Sequence, residues 1–153
     1  MVSNEANTKN TNPYHDAHQV IEINSPTIVD GGAYEGEMTE RFLNLFSSPT
    51  IHAFEPLPRH VDLLKKEGNH SNVEIHNCAL GDSNCEVELE VNPKSNTSSV
   101  LETTDQFRNE RGEHSSRPKS DYVPTDTVTV QQVRMDEIIH SCDIMKLDLQ
   151  GYE

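Results

Sequence analysis

Thr27-Ile28-Val29-Asp30-Gly31-Gly32-Ala33-Tyr34-Glu35-Gly36 is the stretch on which the fold turns. A short β-branched run ends in an acid, and glycines at 31, 32 and 36 then open the way for a helix. From there Met38, Phe42, Leu45 and Phe46 recur at helical spacing, which predicts a helix over 36–46 with one buried stripe. Ser47-Ser48-Pro49 stops it. A second apolar run at 51–54 ends in another acid, Glu55. Two strands that each end in a carboxylate, joined through a glycine turn and a helix, are the start of an open parallel sheet. Such a sheet binds ligands at the carboxyl ends of its strands.

The same alternation continues downstream. Pro58 suits a first helical position, and Val61, Leu63 and Leu64 give the next helix, which ends near Gly68-Asn69. Residues 73–77 read as the third strand and Ala79-Leu80-Gly81-Asp82 as a turn. Val87, Leu89 and Val91 alternate with Glu86, Glu88 and Glu90, a half-buried strand with a charged outer face. Residues 102–127 are polar and read as a mobile loop. A strand is expected over 128–133, a short helix capped by Asp136, and a buried strand over 144–149. The order strand, helix, strand, helix, strand predicts an α/β protein with a Rossmann-like, mostly parallel sheet and helices on both faces. Residues 1–23 are polar and read as a tail; His15 and His18 stand at helical ligand spacing, but nothing completes a metal site there. The domain is placed at 24–153.

Composition narrows the partners. A formal charge of -14 over 153 residues repels phosphate backbones and anionic membranes, so neither nucleic acid nor a membrane surface is expected as a partner. No apolar run approaches the length needed to cross a bilayer. The polar N-terminus lacks the apolar core of a signal peptide. Cys78, Cys85 and Cys142 are irregularly spaced and read as reduced thiols, which together with the N-terminus predicts a cytoplasmic protein. His52, His76 and His140 read as ordinary surface or half-buried histidines. Oligomeric state is not legible.

The glycine turn separates two cofactor classes. A dinucleotide fold places a G-x-G-x-x-G turn under a pyrophosphate at a helix start. Here the order is Asp-Gly-Gly-x-x-x-Gly, and Asp30, Glu35 and Glu37 crowd the helix start. Three acids disfavour a pyrophosphate and favour a ligand carrying ammonium and sulfonium cations, so S-adenosyl-L-methionine is expected over a nicotinamide cofactor. Gly31, Gly32 and Gly36 would let backbone approach the ligand closely. Glu55 would accept two hydrogen bonds from ribose hydroxyls. The plainer reading, in which the glycines make a tight turn and the acids cap helices, stays open, as does a simple Gly-Asp turn at Gly81-Asp82.

Six segments in order resemble the FkbM family of class I, S-adenosylmethionine-dependent methyltransferases. They are Val29 through Gly36, Ala53-Phe54-Glu55-Pro56-Leu57-Pro58, Asn77-Cys78-Ala79-Leu80-Gly81-Asp82, the serine-rich Thr97-Ser98-Ser99-Val100-Leu101, the stretch from Val130 to Asp136, and Lys146-Leu147-Asp148-Leu149-Gln150-Gly151-Tyr152-Glu153. Tyr34 stands where the family motif has Asn, and Gln150 where it has Glu. The resemblance implies methyl transfer to a hydroxyl of a sugar or natural-product-like small molecule. It assigns Asp30, the glycine turn and Ala33 to the methionine end of the cofactor, Glu55 to the ribose, and Ala79, Leu80 and Asp82 to the adenine. Asp148 is the first candidate for positioning or deprotonating the acceptor and Glu153 the second; Lys146 would point away or pair with an acid. A helix cap or ion pair is the plainer role for Asp148. A class I sheet has seven strands, so the C-terminal strands are expected to be missing, as from a fragment. That leaves a non-catalytic, cofactor-binding module as the alternative.

Overall fold

The computed structural model describes residues 23–67, 71–91 and 126–150. In chain order the elements are β1 (Thr27–Gly31), α1 (Glu37–Leu45), β2 (Thr50–Phe54), α2 (Pro58–Glu67), β3 (Val73–His76), β4 (Ala79–Gly81), β5 (Cys85–Val91), β6 (Asp126–Arg134) and β7 (Ile144–Leu147). A 3₁₀ turn, Met135–Glu137, follows β6. No described helix is long and apolar enough to cross a membrane.

β1 is central to a four-stranded parallel sheet ordered β3-β2-β1-β7. The register pairs Ile28 with Ile51 and Ile144, and Ala53 with Ile75, so these apolar side chains share one face. Both helices cover that face. α1 lays Phe42, with Phe46 just beyond its end, against Ile28 and Ile51, and α2 sets Leu64 against Ala33 and Ala53. Two successive right-handed crossovers that step the same way along a sheet deliver their helices to the same side. Burial of Phe42, Ile28 and Ile51 contributes about 1.5–3 kcal/mol for each side chain. On the other face Val29 and Phe54 pack with Cys78 and Leu80, backed by Met135, Ile139 and Leu149. Met145 and Leu147 of β7 stay exposed there.

The second sheet is ordered β4-β6-β5, with β6 parallel to β4 and antiparallel to β5. The alternation in β5 turns Leu89 and Val91 inward onto Ala79, Val130 and Leu57. Gln132, 2% exposed, fills the space a side chain at Gly81 would need.

The α/β architecture and the strand–helix order follow the sequence reading, but the expected helices on both faces do not appear among the described residues: both described helices cover one face, because the two crossovers step the same way along the sheet. Other differences are local. β1 runs on through Asp30 and Gly31, because β2 and β7 pair along it from both sides. Residues 79–81 form a strand instead of a turn, since β6 supplies backbone partners from about 50 residues away. β6 begins at Asp126, so the expected loop over 102–127 overlaps it by two residues; the rest of that loop lies outside the described residues, as do residues 1–22 of the expected tail. The last strand stops at Leu147, two residues short of the expected end. Asp136 sits inside the 3₁₀ turn, and Arg134 holds the cap position without a side-chain bond.

Candidate active site

The chain leaves β1 through a sharp turn that is latched to the end of β2. The amides of Gly32 and Ala33 both donate to Phe54 O, at 3.0 and 2.9 Å, and Gly36 N donates to Ala33 O. Gly32 has φ +70°, and a Cβ there would meet Asp148 O at 2.2 Å. Gly36, the N-cap of α1, has φ +96°, and a Cβ there would meet Leu64 Cδ2 at 2.7 Å. These glycines are therefore required by the protein's own packing, and the amides of Gly32, Ala33 and Gly36 are taken up by Phe54 O and Ala33 O.

Asp30 points to the helix side of the sheet and is fully buried. Thr39 Oγ1 donates to its Oδ2 at 2.7 Å. Lys146, its register neighbour on β7, places Nζ 3.1 Å from Oδ1. That contact pairs the charges without hydrogen-bond geometry, so Oδ1 accepts no hydrogen bond among the described residues. The Lys146 ammonium instead donates to Gly31 O at 3.1 Å and Gly32 O at 2.9 Å. Asp30 and Lys146 thus form a buried clamp under the glycine turn, and neither lines the cleft above it.

That cleft is open at its mouth and has a cavity volume of about 90 Å³, smaller than the roughly 300–1,000 Å³ of closed small-molecule sites. One wall is apolar: Phe54, Leu57, Ala79, Leu80, Leu89 and Leu149. The polar groups are Glu55 from the end of β2, His60 and Tyr34 beside it, and Asp148 and Gln150 beyond β7. Among the described residues, no Lys or Arg lines it. Glu55 is 4% exposed and already heavily engaged. Its Oε1 accepts from Leu57 N at 2.9 Å and from His60 Nδ1 at 3.1 Å, and its Oε2 accepts from Tyr34 N at 2.9 Å. A carboxylate offers about four acceptor sites, so one remains, on Oε2. Tyr34 rests edge-on against His60, with ring centroids 4.4 Å apart. Burial first, and the charge of Glu35 second, hold the Tyr34 phenol above its ordinary pKa, so it stays protonated at neutral pH. Cys78 is buried in the same wall, and burial pushes its thiol up to about 11.

Of the residues singled out from sequence, Gly32, Glu55, Ala79, Leu80 and Asp148 line the cleft. Gly31, Ala33 and Gly36 support it from behind: Ala33 is buried in the core under α2, and a side chain at Gly31 would strike Leu147. Asp82 is exposed beyond the end of β4, where it accepts from Ser83 Oγ, and lies outside the cleft. The strand that replaces the expected turn carries Asp82 past the site. Glu153 lies outside the described residues. His60 escaped the sequence reading; its only signal is its place two residues after Pro58, in the first turn of α2. Tyr34 and Gln150, the two departures from the FkbM motifs, both adopt positive φ, +54° and +58°. Asn tolerates that conformation better than Tyr does, which accounts for the motif's Asn at position 34.

The residues present fit S-adenosyl-L-methionine. The apolar wall suits a flat base, Glu55 keeps one acceptor site for a hydroxyl, and the lining carboxylates, with no Lys or Arg beside them among the described residues, suit a cation and oppose a pyrophosphate.

The sequence profile of the Methyltransferase FkbM domain matches residues 30–153. Comparison with curated proteins gave no match. Among solved structures, the methyltransferase FkbM from Methylobacillus flagellatus KT superposes with a TM-score of 0.52 at 17% identity, over 87% of this chain and 28% of its own length. The chain thus spans little more than a quarter of that protein, and the likeness concerns the fold.

Proposed function

Because the chain belongs to the FkbM methyltransferase family, we propose that it binds S-adenosyl-L-methionine in this cleft and serves methyl transfer to a hydroxyl oxygen of a small-molecule acceptor, such as a sugar or a natural-product alcohol. One observation carries the reading. Glu55 and Asp148 both line the cleft, at the carboxyl ends of β2 and β7 beside the glycine turn, together with an apolar wall and, among the described residues, no Lys or Arg.

Bound there, S-adenosyl-L-methionine would supply an electrophilic methyl group on a positively charged sulfur. Glu55 would accept one ribose hydroxyl through the free site on Oε2, with Tyr34, Leu57 and His60 holding its carboxylate in place. Phe54, Leu57 and Leu80 would cover the base and exclude water. Asp148 is exposed at the mouth and oriented by Gln150 Nε2 at 2.8 Å. It would accept the proton of an acceptor hydroxyl held near it, and most of the remaining rate would come from alignment. The strongly acidic chain favours a small acceptor over nucleic acid or a membrane, and the three free thiols suit a reducing, cytoplasmic setting.

Titration calorimetry with S-adenosylhomocysteine and with NAD tests the cofactor assignment. Stoichiometric binding of the first and none of the second is expected; failure of S-adenosylhomocysteine to bind at millimolar concentration refutes it. Incubation with hydroxylated acceptors and S-adenosylmethionine, followed by mass spectrometry for a gain of one CH₂, tests transfer. Binding without any transfer would favour a non-catalytic module.

A further inference from the structure

The sheet face opposite the helices carries a second polar group, away from the cleft. β2 and β3 pair with His52 opposite Glu74 and Phe54 opposite His76, so these four side chains share that face. His52 Nδ1 lies 3.1 Å from His76 Nε2 and 3.5 Å from one oxygen of Glu74; His76 Nε2 lies 3.9 Å from the other oxygen. The two imidazoles are largely withdrawn from solvent, with side chains 16% and 12% exposed, while Glu74 is 65% exposed. We propose that His52, Glu74 and His76 form a binding site for a transition-metal dication of the zinc class, with a fourth position open to solvent.

The donor atoms have the spacing such an ion needs. Tetrahedral coordination at roughly 2.0–2.1 Å sets neighbouring ligand atoms about 3.3–3.4 Å apart. Taking one ligand atom from each residue, all three lie within 4.8 Å of one another, so rotations of the two imidazoles and of the exposed Glu74 side chain close the site. Two imidazole nitrogens and one carboxylate select zinc-like metals over magnesium or calcium, which favour all-oxygen shells. Two ring nitrogens 3.1 Å apart repel unless a proton or a cation lies between them. A proton satisfies only that pair, whereas a metal ion also satisfies the carboxylate. Phe54 stacks on His76 with centroids 4.4 Å apart and planes 16° from parallel, fixing the ring that would bind. The net charge of -14 raises the local concentration of cations. A bound ion would fasten β3, an edge strand among the described residues, to β2. None of the three residues lines the cleft, though Phe54, which stacks on His76, also forms part of the cleft wall; the metal proposal does not rest on the methyl-transfer reading.

The test is calorimetric titration of the metal-stripped full chain with Zn²⁺, with melting temperature and the visible spectrum of the Co²⁺ form as second readouts. One equivalent of Zn²⁺ should bind and raise the melting temperature, and Co²⁺ should show weak ligand-field bands without thiolate charge transfer. Glu74→Gln changes an exposed side chain and preserves the fold. With His76→Gln it should weaken Zn²⁺ by more than the roughly 10–100-fold typical of outer-sphere partners, and abolish the thermal shift. Three results would overturn the site: no thermal shift in the natural chain, thiolate bands with Co²⁺, or Zn²⁺ bound equally well by Glu74→Gln.

Discussion

Replacing Lys146 with Met keeps the length of the side chain and removes its charge. The ammonium lies 3.1 Å from the Asp30 carboxylate, which is fully buried. At an effective dielectric of about 20, a charge pair at that distance is worth about 5 kcal/mol. Lys146 also donates to the carbonyls of Gly31 and Gly32, and those bonds vanish with it. Relaxation around the stranded carboxylate limits the damage, so the expected loss is about 3–5 kcal/mol, a large share of the stability of an ordinary domain. Asp30→Asn alone should cost less, since it leaves Thr39 a partner and removes the buried anion. The double substitution Asp30→Asn with Lys146→Met should then be more stable than Lys146→Met alone, because no charge is left buried. Urea denaturation of the four proteins closes the cycle. A loss below about 1 kcal/mol for Lys146→Met, or strict additivity in the double variant, would show that the clamp does not hold the turn as described.

Other consequences separate packing from chemistry. Gly32→Ala should be the worse of the two turn substitutions, costing more than about 3 kcal/mol, because the added methyl meets the fixed carbonyl of Asp148; Gly36→Ala meets only the movable end of Leu64 and should cost about 1–2 kcal/mol in the same denaturation assay. Cys78 should alkylate far more slowly at pH 8 than the exposed Cys85, as peptide mapping after iodoacetamide would show. The buried thiol also ties stability to alkaline pH. Its proton is held until about pH 11, against an ordinary value of 9.0, so its contribution is intact below pH 9 and is lost as pH rises through 11. Cys78→Ala should therefore lose about 2 kcal/mol less than the natural chain between pH 8.5 and 11. Asp148→Asn should leave S-adenosylhomocysteine affinity within about threefold while lowering methyl transfer at least tenfold, and an unchanged turnover would remove Asp148 from proton transfer.

Local patterns made most of the first half of the chain legible. The β-branched runs, the glycine turn and the helical stripe of Phe42 and Phe46 each name their element from a few neighbouring residues, and all three agree. Glu55 and Asp148 each come directly after the last residue of a parallel strand and both line the cleft, whereas Asp30, still inside β1, turns to the helix side. Asp82 was misplaced because Gly-Asp signals a turn locally, while pairing across about 50 residues made the preceding segment a strand.

Chain pattern by itself determined most of the strands and helices, that the main sheet is parallel, and which of its strand ends carry acids, since each depends on neighbours only a few residues apart. Tertiary structure alone decided that Asp30 is closed off by Lys146, that Glu55 keeps one acceptor site beside His60, and that His52 meets Glu74 and His76. Those facts depend on register between strands and on which face each side chain takes. A shift of one residue in pairing would undo the Asp30–Lys146 and His52–Glu74–His76 groupings without altering a single local signal.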